Sequence, residues 1–296
     1  MTVGTNIFAS QYVTIQDKAQ SLIGTGSETR GYGQTVQSSD AFTGNIITKA
    51  QWDLLRYDII NIKFHQDGIL PGIITVNVGD PIGFGASSPN SNYDTLLETA
   101  IANRFQIAVS QSVASSAASQ THTTPWSTSL TATLTCTFST ADQARYFFNS
   151  GGKVRFTSSL SGGSSTAQIN AWVNFLASVG TQSFGADTGS VNYYNLTNSF
   201  QIYYQSSLSS PYSANNYRLE ARTDVSNNST GTATQLFLRV TLSDSYVDTG
   251  ASAPGDLVDG TLTITASELK AAGLLQPSGS FAVISPSYSF SVVTAS

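Results

Sequence analysis

The chain has 296 residues, of which only 10% are charged and 40% are apolar, with a formal net charge of −5. That length supports a sizeable core, the 15 Phe, 13 Tyr and 3 Trp exclude a disordered chain, and the acidic balance argues against a nucleic-acid binder. The polar surface must come from 44 Ser and 35 Thr, and the single cysteine, Cys136, excludes an intrachain disulfide or a Cys-based zinc site.

The first hundred residues read as helical pieces joined by Gly-rich turns. Tyr12, Ile15, Ala19, Leu22 and Ile23 share one helical face, with Ser10 as N-cap and Gly24 past the end. The loop GTGSETRGYG follows; it lacks the lysine and the preceding strand of a phosphate loop. The second helix is announced by Thr48-x-x-Gln51, a capping box. Trp52, Leu55, Ile59 and Ile62 then form one apolar stripe, and Gly68 ends the helix. This stripe serves either an internal core or an interface. His65 in the last turn reads as a cap or surface group whose positive charge suits the helix dipole; no nucleophile is tied to it. Residues 73–78 alternate like a short strand, and a third helix starts at Tyr93 with Asn92 as its cap.

After Phe105 the period changes. SVASSAASQTHTTP has no large apolar group except one valine and reads as a Ser/Thr-rich linker, with His122 in it. Leu130, Ala132, Leu134, Cys136 and Phe138 alternate with hydroxyl residues, which is the period of a strand. The same alternation recurs at Phe200–Tyr204, Leu236–Leu242, Leu262–Ile264 and Tyr288–Val292. Two helices interrupt these strands, one capped by Thr140 and ended by Gly151-Gly152, the other capped by Thr166 and ended by Gly180. The fold class expected is mainly β with α: N-terminal helical segments, then an antiparallel β-sandwich-like domain with two covering helices. The boundaries expected are 1–106 for a helical docking region, 107–126 for the linker and 127–296 for the sandwich.

Chemistry is thinly supplied. No Asp, Glu, Lys or Arg occurs from Phe105 to Ala141, and Asp187 is the only formal charge between Arg155 and Arg218. General acid–base catalysis and hard-metal binding both need such groups. The acids Asp244, Asp248, Asp256 and Asp259 cluster in one loop-like stretch and read as solvated turn residues; DVSNNSTG reads as a hairpin turn rather than a calcium loop. Tyr193, Tyr194, Tyr203 and Tyr204 are amphipathic rings with little charge around them, suited to an interface, to half-buried sheet or to sugar stacking. No catalytic residue, cofactor or metal ligand is expected. No apolar run reaches the length of a membrane span, and the N-terminus lacks a secretory pattern.

Several segments, in order along most of the chain, resemble a family of virion structural proteins of contractile-tailed bacteriophages. They include GYGQTVQSS, ITKAQWDLLRYDIINIKFHQDG, FSTADQARYFFNSGGKVRF, SGGSSTAQINAWVNFLASVGTQSFGA and YRLEARTDVSNNSTGTATQLFLRVTLSDSY. The resemblance implies a non-enzymatic subunit of a tail, baseplate, neck or fibre, assembled in the host cytoplasm and residing in the virion. Its implied partners are other virion proteins and further copies of itself, as a trimer or ring. A tail adhesin for host surface glycan is the alternative, and nucleic acid and membrane insertion are not expected.

Overall fold

A computed structural model describes residues 9–42, 46–73, 75, 93–247, 257–291 and 293–295. The chain forms two compact units. The first comprises residues 1–113, 145–152 and 270–285, and the second comprises 114–144, 153–269 and 286–296. The boundaries expected from sequence are corrected accordingly, because the helical unit takes two short segments from the later part of the chain.

The first unit is built on α1 (Ala9–Ile23), α2 (Lys49–Asp67) and α3 (Tyr93–Ala102). Ser10 falls inside α1 rather than at its cap. On α2 the capping box is complete: Gln51 N–H donates to the Thr48 hydroxyl at 3.3 Å, and Thr48 N–H donates to the Gln51 side chain at 3.0 Å. Gly68 closes the helix in the left-handed region at φ 72°, where a β-carbon would be strained. The apolar stripes of the three helices converge with Tyr32 and Phe281 on one core. The predicted Asn92 cap and most of segment 73–78 lie outside the described residues.

A second stripe on α2 is polar and also buried. Asp58, Asn61 and His65 recur at +3 and +4, so they share a face. Asp58 accepts the backbone N–H of Gln37 (3.0 Å) and of Ser38 (2.8 Å), and the Ser38 hydroxyl (2.6 Å). Asn61 accepts Gln276 N–H at 2.6 Å and donates to Gln276 O at 3.1 Å. His65 donates from Nε2 to the carbonyl of Ser150 at 3.0 Å, which fixes the proton on that nitrogen. Its ring stacks on Phe281 at 4.5 Å and meets Tyr32 at 5.0 Å. The expectation of a cationic surface histidine is corrected: His65 is fully buried.

The second unit holds two sheets. Its strands are β1 (Ser112–His122), β2 (Ser129–Thr137), β3 (Lys153–Ser161), β4 (Gln182–Phe184), β5 (Gln201–Ser207), β6 (Asn216–Thr223), β7 (Gln235–Ser243), β8 (Thr261–Ala271), β9 (Ser287–Phe290) and β10 (Thr294–Ala295). One sheet has the order β1-β8-β3-β4; the other runs β10-β2-β7-β6-β5, with β9 also on β2. The β2–β7 register pairs Leu130 with Leu242 and Leu134 with Leu238, so the apolar residues of both strands other than Phe237 fall on the inner face. Pairs between the sheets make the sandwich interior. Phe156 meets Phe290, Phe184 meets Tyr203 at 5.0 Å, the Ser158 and Tyr217 hydroxyls lie 3.1 Å apart, and Tyr288 OH donates to Glu268 at 2.7 Å.

Two helices interrupt the strands, as the sequence suggests. α4 (Ala141–Asn149) starts on the Thr140 hydroxyl, which accepts Gln143 N–H, and from Arg145 onward it belongs to the first unit. α5 (Ala167–Val179) is capped by Thr166 and lies against β3 in the second unit, with Trp172 edge-on to Trp126 at 5.5 Å. The predicted linker is corrected: most of it is β1, paired with β8. An edge strand is held by its backbone ladder and needs few large side chains, so a Ser/Ala run can fill it. Ser115 donates to Glu268 and Ser119 to Ile264 O, a descending order that marks an antiparallel pair.

Burial holds His65 at a pKa of about 4, below its ordinary 6.5. The unfolded chain therefore takes up a proton that the folded chain refuses between those values. The stability this represents is present above pH 6.5 and is lost as pH falls through the window to 4. Chemical denaturation at pH 7.5 and 4.5 should show the native chain losing about 2–3 kcal/mol more than His65→Gln, which keeps a donor for Ser150 but does not titrate.

Candidate interaction surfaces

The eight residues expected at interfaces are all engaged internally. Trp52, Leu55, Ile59 and Ile62 are fully buried in the first unit, where Trp52 meets Tyr93 edge-on at 5.0 Å and Tyr12 at 5.7 Å. That stripe is core, which corrects the interface reading. Tyr193 and Tyr194 are buried in a 3-10 turn of the second unit, with Tyr193 OH donating to Ala233 O. Tyr203 packs on Phe184 between the sheets, and Tyr204 lies edge-on to Tyr217 at 6.3 Å.

The candidate chemical groups have the same fate. Asp244 accepts from the Gln168 amide at 2.8 Å, and Asp259 accepts the backbone N–H and hydroxyl of Ser164. Asp248 and Asp256 lie outside the described residues. In DVSNNSTG, Asp224 accepts from Thr234, while buried Asn228 binds Tyr193 O and Ala233 N–H, the bonds of a closed hairpin connection. Cys136 is buried, and desolvation pushes its thiol pKa far up, so it is not a nucleophile in the folded chain. Among the described residues no group of three or more His, Cys, Asp or Glu is placed to hold a metal ion. No described helix is long and apolar enough to cross a membrane.

The Gly-rich loop is the inverse of a phosphate cradle. A phosphate loop turns N–H groups toward its ligand. Here Gly26, Glu28, Gly31 and Gly33 have positive φ, and the loop turns carbonyl oxygens inward. The Asn149 amide donates to the carbonyls of Glu28, Arg30 and Gly31, and Arg145 donates to those of Thr25 and Glu28. The ARYFFNSGG segment is thus the fastening for the loop.

Three exposed surfaces stand out among the described residues. Nine of the twelve exposed large apolar residues described belong to the first unit. Three of these lie at one end of α2. Ala108 N–H donates to His65 O, and a β-carbon on Gly68 would lie 3.0 Å from that of Ala108, so the backbone leading into Ile69 and Leu70 passes beside that leading into Val109. Ile69 is 74% exposed, Leu70 53% and Val109 91%. In the second unit, Ser127, Thr128, Tyr246, Val247 and Leu257 line an open recess of about 600 Å³. On the outer face of its six-stranded sheet, Arg218, Arg222 and Arg239 surround Glu220. Sequence reasoning passed over this last group, although R-x-E-x-R within one strand puts all three residues on one face. No family model, curated protein or solved structure matches this chain.

Asn149→Asp replaces the donor facing three carbonyls with an acceptor carrying charge. It should cost about 3 kcal/mol or more in urea denaturation, whereas Asn195→Asp at an exposed turn should stay within about 1 kcal/mol.

Proposed function

We propose that the chain is a non-enzymatic structural subunit of a tailed-phage virion, assembled through protein–protein contacts. The observation that supports this reading is the apolar patch of Ile69, Leu70 and Val109 on the helical unit. Contiguous apolar side chains on a charge-poor surface are an association site, because covering them releases their hydration water. The sequence resemblance to virion proteins of contractile-tailed phages agrees with it. So does the internal engagement of the buried acids Asp58, Glu220, Asp244 and Glu268, which serve packing and pairing within the chain. In this reading the helical unit docks on neighbouring subunits, which are other virion proteins or copies of this chain. The position taken is in the tail, baseplate, neck or fibre base.

The test is incorporation into particles. Ile69→Ser, Leu70→Ser and Val109→Ser together should leave the unfolding free energy within about 1 kcal/mol, since all three side chains are already in water. The triple variant should be absent from purified particles in which the native chain is present. Equal incorporation would remove the docking role from this patch.

A further inference from the structure

We infer that the outer face of the six-stranded sheet binds an acidic polysaccharide, through the guanidinium groups of Arg218, Arg222 and Arg239. This goes beyond the assembly reading and rests on the other unit.

The register builds the face. Glu220 on β6 lies opposite Arg239 on β7, Arg222 opposite Phe237, and Arg218 opposite Thr241. Across β7, Thr133 of β2 is opposite Arg239 and Thr135 is opposite Phe237. Directly opposed residues of an antiparallel pair share a face, so these side chains all point away from the sandwich core. The result is a column of hydroxyls beside two columns carrying three cations and one anion. The face has a local charge of +2 on a chain whose net charge is −5.

The guanidiniums are held in place but poorly satisfied. Arg239 lies 3.9 Å over the Phe200 ring, and Arg222 lies 3.8 Å over Phe237. Stacking fixes the plane of each fork, so little rotamer freedom is left to lose on binding. Glu220 accepts Arg239 Nε at 2.8 Å and sits 3.4 Å from Arg218 Nε. Arg222 reaches Thr223 O at 3.4 Å. The Nε of Arg218 is buried without a hydrogen-bond acceptor, and the remaining guanidinium donors of the three meet none among the described residues. Side-chain exposure of 35% for Arg218 and 30% for Arg239 leaves part of each side chain within reach of solvent.

Such a donor excess calls for an anion with paired oxygens, a carboxylate or a sulfate, which a guanidinium fork grips with two bonds. The neighbouring threonines fit the hydroxyls between such anions. A ligand bearing both, repeated along a chain, is an acidic polysaccharide. An acidic peptide would supply carboxylates but no hydroxyl array for the β2 column.

The test uses the full chain with immobilised polygalacturonate, neutral dextran and poly-glutamate at 50 mM salt. Retention on polygalacturonate that fades by 300 mM salt, with none on dextran and weaker retention on poly-glutamate, supports the assignment. Arg222→Gln with Arg239→Gln should weaken retention at least tenfold. Because both rings lose a stacked partner, Arg218→Gln, which stacks on neither, is the folding-safe variant and should weaken it about threefold. Glu220→Gln should strengthen it about threefold, a gain that misfolding cannot mimic. No retention of the native chain, or retention unchanged by the arginine variants, overturns the proposal. Poly-glutamate retained as strongly as polygalacturonate overturns the polysaccharide assignment and makes the partner an acidic protein.

Discussion

The helical unit depends on the buried polar row of α2. Asp58, Asn61 and His65 each bond to backbone of a different distant segment, around residues 37, 276 and 150. Apolar contact alone is nearly indifferent to sliding, since any similar face repacks. A buried carboxylate that has two backbone N–H donors and one hydroxyl is not indifferent, because displacing it leaves charge in a dry site. Burial raises the Asp58 pKa above the ordinary carboxylate value, and its three hydrogen bonds offset only part of that rise. The segments 270–285 and 145–152 join this unit because they carry the partners of such pegs.

The sandwich uses the complementary device. Its strands alternate apart from a bulge between Ile202 and Tyr204 in β5, and two polar pairs are matched across the sheets, Ser158 with Tyr217 and Glu268 with Tyr288, while the buried Tyr203 hydroxyl meets no partner among the described residues. Glu268 also accepts from Ser115 of the edge strand. One carboxylate therefore ties three strands in two sheets, and its partners must be in place for it to be buried at all. In a chain with 31 formally charged side chains, using several of them this way leaves few for the surface.

The parts of this fold legible in the sequence were those governed by one period or one local bond. The α2 capping box, the Gly68 terminator and the Leu130–Cys136 alternation needed nothing from the rest of the chain. The misreadings share a cause. His65 reads as a cap or surface group and 107–126 as a linker because their partners, Ser150 and β8, are remote in sequence. The polar row of α2 was visible as i, i+3, i+7, yet polar side chains at helical spacing normally mark the wet face. Only tertiary contact reverses that sign. The tyrosine pairs are ambiguous for a related reason. Ring area suits cores and interfaces alike; Tyr193 and Tyr194 are buried, and Tyr203 packs on Phe184.

The arginine face follows from the same scarcity of charge. On an ordinary surface, a quarter of whose residues are charged, three arginines would be diluted by neighbouring acids within a Debye length of about 8 Å. Here the strands flanking β6 and β7 offer Ser, Thr, Gln, Tyr and Ile202, so Glu220 is the acid that the register places among the three. Glu220 is itself almost buried beneath its two arginine neighbours, with 7% of its side chain exposed. An approaching anion therefore meets guanidinium edges before it meets the carboxylate. The single acid organises the cluster without cancelling it, since it lies beside two of the three forks and leaves a local charge of +2. The hydroxyl-rich composition thus supplies both the neutral sheet surface and the contrast that makes one small cationic region on it distinctive.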